Sequence, residues 1–191
     1  MRFIYGPFKH NSMIHRGVTL KRIKDNEVLN MPRTLVISPD KCTGCRICML
    51  ACSYRHFKVI NPARSRIRVV RLPHEPVDSP IYCIQCGLCI SACPFNALSR
   101  DLRTGTVKVD PEKCTGCGIC VHVCPYGAVS RDPETRKALL CDLCDGDPEC
   151  AKVCPEGVLL YLDPDDAAEY KRMAFSRLQR REITPLKPDA R

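Results

Sequence analysis

The sequence contains no tryptophan and few other aromatic residues, with 5 Phe and 6 Tyr among 191 residues. This scarcity argues against a platform for stacking nucleic-acid bases, because such platforms are built from exposed aromatic rings. Long apolar runs are also missing, and stretches such as 47–52 are far too short to cross a bilayer. Residues 1–9 show neither an apolar signal segment nor a small-residue cleavage site. We therefore expect a cytoplasmic protein without a membrane span, in a reducing compartment that disfavours disulfides.

Cysteine, by contrast, is abundant. The 16 cysteines all fall in four motifs, and none is left over. Motifs 2 and 3 share the pattern C-x2-C-x2-C-x3-C-P and remain alike for several residues beyond it. Motif 1 has the same spacing but Ser53 in place of the proline, and motif 4 has a second gap widened to five residues. In chain order the cysteines are Cys42, Cys45, Cys48 and Cys52; Cys83, Cys86, Cys89 and Cys93; Cys114, Cys117, Cys120 and Cys124; and Cys141, Cys144, Cys150 and Cys154.

This spacing is typical of [4Fe–4S] ligation. Three cysteines separated by two residues can hold one cluster, and in two-cluster ferredoxins the fourth cysteine ligates the other cluster. Four zinc sites would use the same number of thiolates, but zinc modules usually place two C-x2-C pairs a dozen or more residues apart. The pattern therefore predicts four [4Fe–4S] clusters, with a zinc-binding interaction protein as the alternative from another class.

The formal charge of +9 invites a nucleic-acid interpretation. A cluster with four thiolates, however, carries about −2 in its oxidised form. Four clusters would offset nearly all of the formal charge. We therefore interpret the basic residues as counter-charge and expect no nucleic-acid partner.

Hydrophobic and turn residues predict short strands around the motifs. A strand at 35–37 leads into motif 1. Asn96 and Gly127 share one repeat position and predict tight turns, and Gly157 repeats it after motif 4. Motifs 2 and 3 are each followed by a predicted hairpin, 97–100 with 106–109 and 128–131 with 137–140.

The stretch between motifs 1 and 2 is less regular. Because Ser53 replaces the proline, the helix that carries Cys52 can continue. Ile67 and Val69 alternate with arginines, which predicts a half-buried strand with a solvated, charged face. Prolines 73, 76 and 80 then predict a linker that lacks a hairpin.

The two ends of the chain differ in character. Residues 1–33 form a basic arm, for which we expect poor order, with docking on a partner subunit as the alternative. Asp163-Pro164 with the acids that follow predicts a helix start, and the helix should run to about Arg181 before a loose tail.

Motifs 2 and 3 match closely and lie near one another in sequence, so we expect them to exchange their fourth cysteines. Motifs 1 and 4 are then left to pair across the inserted unit. Sequential pairing, first with second and third with fourth, is the alternative. The nested scheme predicts the sets Cys42, Cys45, Cys48 and Cys154; Cys141, Cys144, Cys150 and Cys52; Cys83, Cys86, Cys89 and Cys124; and Cys114, Cys117, Cys120 and Cys93.

Charge differs between the outer motifs. Motif 4 contains four acids, whereas bases follow motif 1. Since reduction adds negative charge, this pattern predicts a lower potential for the motif 4 cluster. His56 and His122 could donate hydrogen bonds to cluster sulfur, but surface imidazole is the preferred interpretation for both.

The motifs resemble those of iron–sulfur electron-transfer subunits of anaerobic oxidoreductase complexes. The resemblance covers residues 34–163 and rests on the four motifs and on the widened 141–150 segment. The stretch Asn61 to Ile67 looks most like small subunits that partner tungsten aldehyde oxidoreductase-type catalytic subunits. Beta subunits of formate dehydrogenase, dimethyl sulfoxide reductase, hydrogenase and carbon monoxide dehydrogenase systems are also similar.

The resemblance implies an α+β, ferredoxin-like fold of two nested dicluster halves. An inner unit of 76–140 would be inserted in an outer unit of 34–75 and 141–163, with a C-terminal helix and tail at 164–191. It also implies an electron relay between a tungsten- or molybdenum-pterin catalytic subunit and a protein acceptor or donor. The sequence itself shows no nucleophile–base pair, phosphate loop or paired carboxylates, so we expect no catalytic site. A freestanding polyferredoxin is the alternative function.

Overall fold

Eight short strands pair two by two, all antiparallel, in a computed structural model that describes residues 32–38, 41–71 and 78–182. The predicted basic arm lies outside these residues except for its last two positions, as do Pro73, Pro76 and the tail. The pairs are β1 (Thr34–Ile37) with β8 (Leu159–Leu162), β2 (Arg68–Arg71) with β3 (Asp78–Ile81), β4 (Leu98–Arg100) with β5 (Val107–Val109), and β6 (Ser130–Arg131) with β7 (Ala138–Leu139).

The strand before motif 1 and both hairpins after motifs 2 and 3 are confirmed. So are the tight turns, because Asn96, Gly127 and Gly157 all have positive φ, at 49°, 60° and 59°. The prediction for the segment before motif 2 is wrong. Residues 78–81 form a strand rather than part of a linker, and Pro80 lies opposite Val69 in an antiparallel pair.

Five helices carry or follow the motifs: α1 (Ile47–Phe57), α2 (Leu88–Ser91), α3 (Ile119–His122), α4 (Glu149–Lys152) and α5 (Pro164–Glu182). The helices α2, α3 and α4 are single turns, and a Cys-Pro sequence closely follows each. The predicted continuation of α1 is confirmed. Ser53 is fully buried, and its hydroxyl donates to the Leu50 carbonyl and accepts from the Asn61 backbone N–H.

Two buried clusters form the core, and cysteines belong to both. One cluster joins α1 to residues near motif 4, including Leu35, Ile67, Leu143 and Leu159. The other lies between α2, α3 and their hairpins, with Leu98, Val107 and Val129 among its members. The helix α5 begins as predicted and buries Ala167. Within the described ranges, no helix has the length and apolar character that a bilayer crossing requires.

Candidate iron–sulfur cluster sites

The backbone turns sharply around the second cysteine of every motif. The residues before and after this cysteine all have positive φ, between 52° and 85°, and in motif 4 Cys144 itself has a φ of 50°. Most residue types avoid this region, so the turn is a demanding conformation that repeats four times. The residue pairs are Gly44 and Arg46, Gln85 and Gly87, Gly116 and Gly118, and Leu143 and Asp145.

Three of the resulting loops line a cavity with four cysteines each. In every case three cysteines come from one motif and the fourth comes from another. We name each set a cradle after the motif that supplies three cysteines. The motif 1 cradle contains Cys42, Cys45, Cys48 and Cys154; the motif 2 cradle contains Cys83, Cys86, Cys89 and Cys124; and the motif 3 cradle contains Cys114, Cys117, Cys120 and Cys93.

The motif 4 cysteines form a fourth group with Cys52. Burial is the main reason why the pKa of the Cys141 and Cys150 thiols is raised, and the charge of Cys52 adds to it in both cases. Cys52 also raises the pKa of Cys144, again after burial. Cys52 and Cys150 also belong to one buried cluster, against which Cys141 packs. We name Cys52, Cys141, Cys144 and Cys150 the motif 4 cradle.

Each cradle receives at least one backbone N–H···S hydrogen bond. The donors are Val158 to Cys154 at 3.3 Å, Gln85 to Cys83 at 3.4 Å, Ala138 to Cys114 at 3.5 Å and Arg66 to Cys52 at 3.3 Å. Such bonds stabilise negative charge on sulfur and are one of the means by which proteins set cluster potentials.

The chemistry of the cradles fits cationic iron–sulfur cores. All sixteen cysteines lie in the described part of the chain, and none forms a disulfide. Burial raises the pKa of Cys48 and Cys89 to about 11 and that of Cys150 to about 12, with neighbouring thiols acting in the same direction. Thiolates therefore need a positive partner here, and a cluster core with four thiolate ligands provides one.

The four cradles differ in exposure. The second cysteine is exposed in motifs 1, 2 and 3, as Cys45, Cys86 and Cys117, but its counterpart Cys144 is buried. Three cradles therefore reach the surface of this chain at the same structural position. The motif 4 cradle is covered at that position.

His56 contributes to this cover. Its Nε2 lies 3.7 Å from the Cys144 sulfur and 3.5 Å from a carboxylate oxygen of Asp142, and its side chain is only 12% exposed. The interpretation of His56 as surface imidazole is therefore wrong, whereas His122 is exposed as expected. Burial lowers the pKa of His56 to about 4, and Arg66 acts in the same direction, so the ring is neutral at pH 7.

Asp142 connects His56 to two other groups. A guanidinium nitrogen of Arg66 lies 2.6 Å from one carboxylate oxygen, and the other oxygen accepts the Cys144 backbone N–H at 3.0 Å. Burial alone would raise the pKa of Asp142, but these partners outweigh burial and lower it. Asp142 is therefore an ionised, paired group beside the motif 4 cradle.

The other motif 4 acids are paired as well. Asp145 forms an ion pair with Lys108, and Lys152 pairs with both Asp147 and Glu149. Lys108 lies outside motif 4, whereas Lys152 lies on the short helix α4 within it. All four motif 4 acids therefore have basic partners, and the lower potential of the motif 4 cluster stays a prediction.

The basic stretch after motif 1 is likewise not a simple solvated face. Arg64 is 11% exposed, and its guanidinium contacts Asp132 at 2.7 Å and Glu134 at 2.6 Å. The same group lies 3.9 Å above the Phe57 ring. Arg64 therefore ties the outer segments (34–71 and 141–162) to the inner segment (78–140) through a largely buried ion pair.

Gln85 is a residue that the sequence reasoning missed. Its side-chain amide joins the Cys141 carbonyl to the Val107 N–H, at 2.7 Å and 2.8 Å. The available signal was its position, because motifs 1 and 3 have glycine there.

Comparisons with known proteins agree with the cysteine pattern. A 4Fe–4S dicluster domain model matches residues 82–128, and a 4Fe–4S binding domain model matches residues 34–57. The chain is similar to the polyferredoxin-like subunit of an aliphatic sulfonate oxidoreductase from Pyrococcus furiosus, at 47% identity over 64% of this chain and 71% of that protein.

Other relatives are electron-transfer proteins or parts of larger systems. A putative electron transport protein of Escherichia coli, YsaA, is 31% identical over 74% of this chain and 96% of its own length. The beta subunit of an NADH-dependent phenylglyoxylate dehydrogenase from Aromatoleum evansii is 34% identical over 68% of this chain and 30% of that subunit. Among solved structures, a chain of the benzoyl coenzyme A reductase complex BamBC is 35% identical, with a TM-score of 0.41 over 67% of this chain and 73% of that chain.

Proposed function

Because the chain belongs to the family of polyferredoxin-like 4Fe–4S electron-transfer subunits of oxidoreductase complexes, we propose that it relays electrons between a tungsten- or molybdenum-pterin catalytic subunit and a protein acceptor or donor. The family membership makes it an iron–sulfur electron-transfer subunit with four [4Fe–4S] clusters. The metal of the partner, the ligand assignment and the cluster order are the proposed parts.

The ligand assignment follows the cradles. We assign Cys154 to the cluster of motif 1, Cys52 to that of motif 4, Cys124 to that of motif 2 and Cys93 to that of motif 3. The observation in support is that each cradle joins three cysteines of one motif to the last cysteine of another. Under this assignment the inner and outer segments are the two nested dicluster halves.

The cradles form a continuous series, which is the observation that carries the relay. Cys48 of the motif 1 cradle and Cys150 of the motif 4 cradle belong to one buried cluster, so these cradles are neighbours. Cys89 and Cys120 share the other buried cluster, which makes the motif 2 and motif 3 cradles neighbours. The Gln85 side chain of motif 2 contacts the Cys141 carbonyl at 2.7 Å, which joins motif 2 to motif 4. The order is therefore motif 1, motif 4, motif 2, motif 3.

A bound [4Fe–4S] cluster supplies reversible one-electron transfer. The chain supplies the thiolates, the N–H···S bonds and the apolar walls that limit water around each cradle. It also sets the spacing between the clusters, because the positive-φ turns and the hairpins packed against them hold each cysteine loop in place. Catalysis at a substrate is assigned to the partner, since the described residues serve to hold and to tune the clusters.

Electrons can enter and leave at the ends of this series. The motif 1 and motif 3 cradles are terminal, and each exposes a cysteine, Cys45 and Cys117. Of the two internal cradles, that of motif 4 has its second cysteine covered, whereas that of motif 2 exposes Cys86. This arrangement suits an electron relay with one partner protein at each end better than an electron-storage protein with a single docking site.

The test is anaerobic purification from the native cell without an affinity tag. We expect a brown complex with a larger catalytic subunit, tungsten or molybdenum, and about four iron atoms and four sulfides per cluster. The resemblance of Asn61 to Ile67 to subunits of tungsten enzymes supports this metal choice. Nickel in the complex would instead identify a hydrogenase- or carbon monoxide dehydrogenase-type partner, and emergence of the chain alone would support a freestanding polyferredoxin.

A further inference from the structure

The side chain of Gln85 bridges two parts of the chain that are distant in sequence. Its Nε2 donates to the Cys141 carbonyl at 2.7 Å, and its Oε1 accepts from the Val107 N–H at 2.8 Å. Only one orientation of the amide satisfies both partners, because a carbonyl requires a donor and an N–H requires an acceptor. The bridge therefore links motif 4 to the hairpin that supports motif 2.

Gln85 occupies a position that disfavours a side chain. Its φ is +60°, and the equivalent residues of motifs 1 and 3 are Gly44 and Gly116, with φ of +70° and +71°. A Cβ at Gly44 would lie 2.4 Å from Asp78, and one at Gly116 would lie 2.6 Å from the Arg136 carbonyl oxygen. The motif 2 loop is therefore the one of these three with room for a side chain.

The bridge lies where the two halves of the proposed relay adjoin. Gln85 follows Cys83, the first cysteine of the motif 2 cradle, by two residues. Its amide contacts the carbonyl of Cys141, the first cysteine of the motif 4 cradle, at 2.7 Å. The amide thus holds the Cys141 backbone beside the motif 2 loop.

We propose that Gln85 is a positioning residue that fixes the separation between the motif 2 and motif 4 clusters. The two hydrogen bonds of its amide offset the backbone strain of a non-glycine residue with a positive φ. The inference rests on the proposed ligand assignment and cluster order. It adds the residue that controls the link between the inner and outer halves.

The decisive variant is Gln85→Glu in the purified native complex. Glutamate keeps the side-chain length and an acceptor for Val107, but it replaces the donor to Cys141 with an oxygen that the carbonyl repels. The readout is the magnetic coupling between the reduced motif 2 and motif 4 clusters. Their signals are assigned with the ligand variants Cys86→Ser and Cys144→Ser. We expect four clusters by iron and sulfide analysis, with this one coupling weakened or lost.

Gln85→Gly is the second variant, because it restores the residue that motifs 1 and 3 have and removes the backbone strain. It should also assemble four clusters and lose the coupling. Arg100→Ala is the matched control. It removes the 2.9 Å bond from Arg100 to the Gln85 backbone carbonyl but leaves the amide bridge, so the coupling should persist.

The outcomes separate the inference from the function on which it rests. If the wild-type protein shows no coupling between these two clusters, the proposed order is wrong. If both Gln85 variants retain the wild-type coupling, the positioning role is wrong. Failure of both variants to assemble clusters would also overturn it, because Gln85 would then be a requirement of folding.

Discussion

The inner and outer segments use the same cysteine motif in different surroundings. In the inner segment each cradle is edged by exposed apolar side chains, Leu88 and Tyr126 around motif 2 and Phe95 and Ile119 around motif 3. In motif 1, Ile47 keeps the exposed, apolar character of Leu88 and Ile119, but the exposed residue Glu156 stands where the inner cradles have an aromatic side chain.

The contrast is greater at motif 4. Each inner cradle is surrounded by a short helix, a Cys-Pro sequence and a hairpin. The motif 4 cradle is instead enclosed by α1 and by the side chains of His56, Asp142 and Arg66. Repetition of a motif therefore fixes the loop around a cluster, but the residues between the motifs decide its exposure and its charge. Four pairs of variants test this difference.

The largest effect is expected from Cys52→Ser, compared with Cys93→Ser. Both replace the last cysteine of a motif, but Cys52 lies in the motif 4 cradle and Cys93 in the motif 3 cradle. We expect the first variant to alter or lose the cluster of Cys141, Cys144 and Cys150, and the second to alter that of Cys114, Cys117 and Cys120. Electron paramagnetic resonance with iron analysis measures both.

Sequential pairing makes the opposite prediction for Cys52. In that scheme Cys52 would ligate the cluster of Cys83, Cys86 and Cys89. A changed motif 2 signal with an unchanged motif 4 signal in Cys52→Ser would therefore refute the nested assignment.

The next effect concerns the ion pair between the segments. Asp132 is only 3% exposed, and Asp132→Asn leaves the largely buried Arg64 guanidinium with the exposed Glu134 as its remaining anionic partner. Breaking a buried pair in this way costs about 3–5 kcal/mol. We expect the temperature at which cluster absorption is lost to fall by roughly 10 °C for a chain of this size.

The control is the exposed pair of Lys113 with Asp110, which lies within the inner segment. Lys113→Ala should leave the midpoint unchanged, because exposed ion pairs contribute little. Equal midpoints for Asp132→Asn and the wild type would mean that Arg64 does not hold the segments together.

Much of this local structure was predictable from sequence, and the reasons are local. The cysteine spacing, the αL position of Asn96, the prolines after Cys93 and Cys124, and Ser53 after Cys52 each act through the backbone of a few residues. Such effects do not depend on what lies elsewhere in the fold.

The errors concern residues whose partners are distant in sequence. His56 was placed on the surface because nothing nearby in sequence showed that Asp142 and Cys144 would cover it. Arg64 contacts Asp132, which is 68 residues away in sequence. Pro80 is predicted to be a linker residue, but it pairs with Val69 of a neighbouring strand, a pairing that is equally invisible to local patterns. The burial and the charge environment of these residues depend on tertiary contacts, which local sequence patterns do not reveal.

A smaller effect is expected at the network beside Cys144. Asp142→Asn removes a buried negative charge and leaves the charge of Arg66 unopposed, so reduction of the motif 4 cluster should become easier. We expect its potential to rise by an amount on the order of tens of mV, measured by redox titration.

Asp145→Asn is the matched comparison, because Asp145 is 55% exposed and paired with Lys108. Its effect should be clearly smaller, since solvent screens the exposed pair. A larger shift for Asp145→Asn than for Asp142→Asn would show that motif acidity, rather than the buried network, sets this potential.

The smallest effect is expected at the residue after the second cysteine. Arg46 has a φ of +62° where motif 3 has Gly118 with a φ of +85°, and a Cβ at Gly118 would meet nothing closer than 3.8 Å. Backbone conformation is therefore the main cost of a side chain at this position. We expect Arg46→Gly to raise stability and Gly118→Ala to lower it, each by about 1 kcal/mol. Thermal loss of cluster absorption measures both, and a lower midpoint for Arg46→Gly would show that the arginine side chain stabilises the motif 1 loop by more than its backbone strain costs.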